Sequence, residues 1–344
     1  MKDLIDVFLP VPIQGSFSYM VPDNIDKSKL KPGSRVLVSF RNRKMIGIIQ
    51  RHANSNGNDK IKYKYIKELL DETPILNKNI LSLAEWASTY YHHPIGDVIS
   101  YFMTPLLRRG EEASFPKIDS WSITEKGEFI ALDSLNSSPK QKEAMKFFKE
   151  LDNLNRITSK AYGISSSTLN TLEAKFFISK ERRENIPSLS DIELKEKVMV
   201  FNEDQNMAVK KVNEGSSNQA YLIDGVTGSG KTEVYMEAIS KVISEGKQAL
   251  VLIPEIGLTP QTEQRFLQRF GSGVMSMHSG KNDRERLNAW LSASRGLVNI
   301  IIGTRSSVFT PFKDLGIIVV DEEHDLSYKQ ADRFRYSARD IAIF

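Results

Sequence analysis

The 344-residue chain contains no cysteine. Disulfides and thiolate metal sites within these residues are therefore excluded. No run approaches the ~20 consecutive apolar residues of a membrane span. The opening residues, Met1-Lys-Asp-Leu-Ile-Asp-Val-Phe8, carry acids and lack the apolar centre of a signal peptide. Histidine is scarce, and His52, His92, His93, His278 and His324 are too scattered to suggest a metal cluster. Internal repeats and low-complexity tracts are missing as well. A cytoplasmic protein with no membrane partner is the expectation. The chain is 40% hydrophobic, enough for real cores, and its length suits two or three domains.

Negative charge is nearly absent from one stretch. Residues 35–67 hold Arg35, Arg41, Arg43, Lys44, Arg51, Lys60, Lys62, Lys64 and Lys67 against Asp59 alone. Residues 1–110 contain 16 Lys/Arg and 10 Asp/Glu, whereas the remainder contains 31 and 33. Interleaved with Phe40, Tyr63 and Tyr65, the basic block fits a surface that tracks nucleic-acid phosphates. A merely solubilising face is the alternative.

What is present is most specific at Gly225-Val226-Thr227-Gly228-Ser229-Gly230-Lys231-Thr232. The spacing G-x-x-x-x-G-K-[ST] is that of a phosphate-binding loop. Its glycines let the backbone curl until several N–H groups share one concavity, at the start of a helix that favours anions. Lys231 is expected to reach the β- and γ-phosphates of ATP, and the Thr232 hydroxyl to ligate Mg²⁺. Ala220–Asp224 reads as a short buried strand before the loop, and Glu233–Lys241 as a helix after it.

A second motif turns nucleotide binding into hydrolysis. Gly316–Val320 is a continuous apolar, β-branched run, the mark of a strand buried on both faces. It ends in Asp321-Glu322-Glu323-His324. Acids at the C-terminal end of a parallel strand face the phosphate crevice of an α/β sheet. Asp321 is expected to hold Mg²⁺ and Glu322 to polarise the attacking water, which with Lys231 makes the catalytic set.

Three domains follow from the pattern. Residues 1–110 read as β-rich, with strands around Val7–Pro12, Ser16–Val21, Ser34–Phe40 and Met45–Ile49, and a helix around Asn79–Tyr91. Residues 111–186 read as a winged helix: one helix from Pro139, a helix–turn–helix through Ser165–Lys175, then a basic hairpin with Lys180, Arg182 and Arg183. Residues 187–198 are a polar linker. From 199 to 344, strands at 248–254, 274–278, 298–303 and 316–320 alternate with helices, giving a RecA-like lobe with a parallel sheet.

Leu252–Gln261, His278–Gly280, Gly303–Phe312, Asp321–Asp325, Tyr328–Gln330 and Phe334–Asp340 carry a resemblance. Together with the phosphate loop, they are similar to the first motor lobe of superfamily-2 DNA helicases. The match is close to the replication-restart helicases of the PriA, or primosomal protein N′, family. Leu9–Pro12, Phe17-x-Tyr19 and Pro32–Val36 resemble that family's domain for the 3′ end of a nascent strand. The resemblance implies an ATP-dependent 3′-to-5′ DNA helicase that recognises stalled or branched forks and initiates restart by primosome assembly. It implies DNA forks, 3′ ends and single strands as substrates. Its implied partners are primosome and replication-restart proteins and single-stranded DNA-binding protein, and the chain is expected to be a monomer.

The resemblance also assigns residues. Gln205 corresponds to the glutamine that reads adenine. Thr304 and Arg305 correspond to a loop touching the tracking strand. Tyr328, Phe334 and Tyr336 correspond to an aromatic-rich loop coupling DNA to hydrolysis, with packing under the sheet as the plainer reading. Phe17 and Lys64 match pocket positions for the terminal nucleotide. Ser18 stands where a carboxylate is frequent, and Arg41 where glycine is usual. The family's second lobe and the cysteines for two structural Zn²⁺ ions are not in this sequence, so an inactive or incomplete fragment is expected. Two other readings stay open: a DNA-structure-binding module with nucleotide binding but no motor, and another DNA-translocating ATPase.

Overall fold

The computed structural model describes residues 3–53, 62–187, 200–215, 218–226 and 228–344. Thr227, Lys60 and all of the expected linker except Pro187 lie outside the described residues. The chain divides into two compact units, one of residues 1–113 with 187–344 and one of residues 114–186.

The first unit opens with β1 (Leu4–Phe8), β2 (Phe17–Met20), β3 (Arg35–Phe40), β4 (Arg43–Ala53) and β5 (Glu68–Leu69). They form an antiparallel sheet in the order β2-β1-β4-β3-β5. Alternation sends Ile5, Val7, Val36, Val38 and Ile49 into one core. Arg41 and Asn42 join β3 to β4 with φ of 44° and 64°, the left-handed pair of a tight hairpin turn. Arg35, expected in the phosphate-tracking block, is instead fully buried. Its guanidinium donates to Asp71 at 2.7 and 2.9 Å and to the carbonyls of Leu107 and Glu111 at 2.8 and 2.9 Å. A buried guanidinium must spend its donors on the protein, so it has none for DNA.

Three helices follow: α1 (Lys78–Tyr90), α2 (Ile95–Ser100) and α3 (Pro105–Arg108). Asn77 caps α1 by accepting from the Ile80 N–H.

The second unit contains β6 (Lys117–Ile123), α4 (Glu125–Phe129), α5 (Pro139–Leu151), β7 (Asn153–Asn155), α6 (Arg156–Ala161), α7 (Ser166–Ala174) and β8 (Ile178–Glu184). Its sheet runs β7-β6-β8, antiparallel, over a core that includes Trp121, Met145, Phe148, Leu172 and Ile178. The basic hairpin expected at Lys180–Arg183 is not there. β8 pairs with β6, which lies far earlier in the chain, and Lys180 and Arg182 face Asp119 at 3.0 and 3.8 Å. Long-range pairing is invisible to a local pattern, and the partner strand brings its own carboxylate.

The rest of the first unit comprises α8 (Glu203–Asn213), α9 (Lys231–Ser244), β9 (Gln248–Leu252), α10 (Pro260–Phe270), β10 (Val274–Met277), α11 (Asp283–Arg295), β11 (Ile300–Gly303), β12 (Leu315–Val320) and α12 (Ala338–Ile343). The sheet is parallel, in the order β10-β11-β9-β12. Helices start where the cap rules put them, at Thr259-Pro260 and at Asn282 with its reciprocal Glu285.

Two strand expectations need correction. β12 is an edge strand with Leu315 and Gly316 exposed and 317–320 half-buried, not a strand covered on both faces. Among the described residues, 220–224 pair with no strand; Leu222 is 77% exposed, and Ile223 is partly buried against the core. An apolar run becomes a strand only where neighbours cover it. Among the described residues no helix is long and apolar enough to cross a membrane.

The helices that follow the N-terminal sheet pack on this part of the same unit. Trp290 donates its indole N–H to the Phe102 carbonyl at 2.9 Å. Tyr101 and Phe102 pack against Phe309 with ring centroids 5.7 and 5.0 Å apart.

Candidate functional site

Gly228 and Gly230 adopt φ of 82° and 83°, a region that side chains with a Cβ resist. A Cβ on Gly230 would lie 2.5 Å from Gln205 Nε2. Gly230 is also the N-cap of α9 and offers no side-chain acceptor. The first N–H groups of α9 are thus left for an anion. Lys231 donates to the carbonyls of Gly225 at 2.6 Å and Val226 at 3.4 Å, folding the loop onto its own lysine.

Gln205 touches this loop directly. Its Nε2 donates to the Ser229 carbonyl at 2.8 Å, and its Oε1 accepts from the Asn202 N–H at 3.0 Å. Each end of the amide makes one bond and keeps a second N–H or acceptor site, so contact with the loop leaves it able to meet an adenine edge.

Across the sheet edge, Asp321 follows β12. Its Oδ2 accepts from the Tyr235 hydroxyl at 3.3 Å, and its Oδ1 from the Glu322 N–H at 3.1 Å. Burial pushes its carboxyl up from the ordinary value, and the Tyr235 hydrogen bond partly opposes this. Burial likewise pushes the Tyr235 phenol up, so it stays a donor. Glu322 is exposed and sits at φ 46°, a strained conformation for a residue with a Cβ. Thr232, Tyr235, Asp321 and Glu322 line one cavity of about 340 Å³, together with Pro254, Arg265 and His324. The glycine loop ends at the start of α9, and Thr232 on the first turn joins Asp321 in the cavity, an arrangement that fits a nucleotide phosphate with Mg²⁺.

A family profile described as the DEAD/DEAH box helicase matches residues 202–343. A second, described as the PriA 3′ DNA-binding domain, matches residues 6–104. Replication restart protein PriA of Haemophilus influenzae is 38% identical over 352 residues, covering 99% of this chain and 47% of that protein. The chain is homologous to the PriA replication restart proteins. PriA of Bacillus subtilis is 28% identical over 96% of this chain and 50% of its own length. PriA of Chlamydia pneumoniae is 31% identical over 94% and 44%. The chain spans about half the length of these PriA relatives. A small β-rich 3′ DNA-binding domain therefore precedes a DEAD helicase lobe with a parallel sheet.

The residues expected to contact DNA do not gather in one place. Phe17 packs edge-on against Phe40 with centroids 4.9 Å apart, and Arg41 lies 5.6 Å over the Phe40 ring. Ser18 points to the opposite face of the sheet. There its hydroxyl donates to Asp6 Oδ1 at 2.7 Å, while Arg51 Nε donates to Oδ2 at 2.9 Å. Lys64 is exposed, and its carbonyl accepts from the Met20 N–H at 2.8 Å, beside the far end of β2. The four expected pocket residues are thus split between two faces and a turn.

In the lobe, Thr304 is buried and caps the 3₁₀ turn Arg305–Phe309. Arg305 donates to the carbonyls of Ser327 at 3.1 Å and Lys329 at 2.7 Å. Tyr328, Phe334 and Tyr336 are 2%, 0% and 3% exposed, so none presents a face to a base in this arrangement. They pack instead: Phe309 meets Tyr336 at 4.7 Å and Phe334 at 6.1 Å. An aromatic-rich loop satisfies the hydrophobic effect inward unless a ligand draws it out. Among the described residues no group of three or more His, Asp or Glu is placed to hold a metal ion.

Sequence reasoning missed Tyr235 and Asp6. Tyr235 lies one helical turn after Thr232, a spacing that puts both on one face. Asp6 is a lone acid inside the apolar run Leu4–Phe8, a signal of a buried polar partner.

Proposed function

We propose that this chain is the fork-recognising and ATP-binding portion of a 3′-to-5′ replication-restart DNA helicase. The glycine loop that leads straight into Thr232, whose side chain shares a cavity with Asp321 and Glu322, carries the reading. Loop N–H groups and the α9 start bind the phosphates of ATP. Lys231 leaves the Gly225 and Val226 carbonyls and moves to the phosphate oxygens. Thr232 and Asp321 hold Mg²⁺, whose charge, when bound, offsets that developing on the transferred phosphoryl group. Glu322 holds the attacking water in line.

DNA binds the N-terminal domain through Phe17, Ser18, Arg41 and Lys64, and the lobe through Thr304 and Arg305. Residues 111–186 act as a winged-helix module. The whole protein works with primosome and restart proteins and with single-stranded DNA-binding protein. A second reading, a fork-binding module that holds nucleotide without turning it over, draws on Lys231 being engaged by the loop itself.

Phosphate release, measured with and without a forked DNA carrying a free 3′ end, separates the two. The motor reading expects DNA-stimulated release that Glu322→Gln abolishes while ATP binding survives. Intact ATP binding with no DNA-stimulated release overturns it and leaves the second reading.

A further inference from the structure

Asp321 is gripped twice by phenols from elsewhere in the fold. Tyr235, on the first turns of α9, donates to its carboxylate at 3.3 Å. Tyr328, from the 3₁₀ turn Leu326–Tyr328, places its hydroxyl 2.6 Å from the Asp321 carbonyl and 2.9 Å from the Leu252 carbonyl. The second contact ties the ends of β9 and β12 together and fixes the backbone of Asp321. The first fixes its side chain. Both phenols are buried, at 6% and 2% exposure, so neither contact is a solvated surface bond.

The Tyr235 ring is itself positioned. It stacks on Phe266 of α10 with centroids 6.4 Å apart and planes at 20°. Thr232 is a second polar neighbour of the same hydroxyl. The phenol therefore stands beside both side chains that the nucleotide reading gives to Mg²⁺. Each carboxylate oxygen has two acceptor sites. At Asp321, Tyr235 takes one on Oδ2 and the Glu322 N–H takes one on Oδ1, leaving one on each for a metal or its water. A carboxylate so bonded has one orientation rather than many, and outer partners of metal-binding carboxylates act in this way.

We propose that Tyr235 is a positioning residue: its hydroxyl pre-aims the Asp321 carboxylate, beside Thr232, for the nucleotide-bound divalent ion. This rests on the nucleotide reading above. It assigns Tyr235 no contact with the phosphates, so its effect is confined to metal dependence.

The test is ADP binding by calorimetry across a range of Mg²⁺ concentrations, with the full chain and its Tyr235→Phe variant. Phenylalanine keeps the ring on Phe266 and removes only the hydroxyl. The Mg²⁺ concentration for half-maximal binding is expected to rise about 10-fold, with metal-free ADP affinity unchanged. In an Asp321→Asn background the same substitution is expected to shift nothing further, because the group it aims is gone. Equal Mg²⁺ dependence in wild type and Tyr235→Phe overturns the proposal. So does an equal loss of affinity with and without Mg²⁺, the mark of general distortion. Wild-type protein that binds ADP with no Mg²⁺ dependence brings down the metal-site reading itself, a result visible before any variant is made.

Discussion

The two sheets of the first unit gather chemistry in different ways. In the parallel sheet, β9, β11 and β12 all run in one direction, so Leu252, Gly303 and Val320 end on the same edge. The residues that follow each strand meet there by topology alone. In the antiparallel sheet, neighbouring ends alternate, and Phe17 and Ser18 diverge to opposite faces although they are adjacent. A parallel sheet converts short contiguous motifs into one crevice. An antiparallel sheet needs its register before its functional residues can be grouped, as Asp6 shows by pairing across to both Ser18 and Arg51.

That contrast is open to attack by substitution. The largest effect is expected at Arg35, which holds the antiparallel sheet to the turn at Asp71 and to the end of α3. Arg35→Ala leaves Asp71 buried and unpaired, and is expected to cost about 3–5 kcal/mol in chemical denaturation. A loss below about 1 kcal/mol would mean the pair is solvated, and the phosphate-tracking role would return.

In the parallel half, Lys231→Ala is expected to weaken ATP binding about 10–100-fold by calorimetry, the size of a hydrogen bond to a charged group. Unchanged affinity removes the phosphate loop from the site.

Lys64→Ala should be milder. A single lost phosphate contact is expected to lower the salt slope of fork binding by about 1. The comparison sharpens if a fork with a free 3′ end loses more affinity than plain duplex. Equal losses reduce the antiparallel sheet to a general basic surface.

The smallest effect concerns stability and pH. The folded Asp321 carboxyl titrates above the ordinary value of 3.8 because burial disfavours its charge. The native state therefore holds that proton more tightly than the unfolded chain, and charging Asp321 destabilises the fold as pH rises. Asp321→Asn is expected to melt slightly higher than wild type at pH 7, with the difference vanishing below pH 3.8. A lower melting point at pH 7 would show that the carboxylate is more stabilised by Tyr235 and Glu322 than penalised by burial.

The lobe was legible wherever a motif is contiguous. Gly228 and Gly230 need left-handed backbone, and a sequence displays that need openly. Strand counting succeeded at β9 and β11, whose residues are buried throughout. It failed at 220–224, where apolar content says nothing about whether a neighbour pairs. Aromatic residues were equally ambiguous: a stacking platform and a core read alike, and Tyr328, Phe334 and Tyr336 lie in the core. Charge misled at Arg35 because a basic residue declares its sign but not its partner, and Asp71 is set by folding. Tyr235 was within reach of helical spacing, whereas Tyr328 touches Asp321 only through a main-chain carbonyl that no side-chain pattern records.

The joining of residues 1–113 with 187–344 has a consequence for how the chain comes into being. Phe102 and Tyr101 rest on Phe309 and Tyr336, more than two hundred residues later in synthesis. At about 5–20 residues per second these rings wait about 10–40 s for their cover on the ribosome. During that interval residues 114–186, which carry their own core, have already been made. The nascent protein thus carries an uncovered aromatic face while the second unit already has its own core. That stage lasts through translation of the phosphate loop and ends only when Phe309 and Tyr336 emerge.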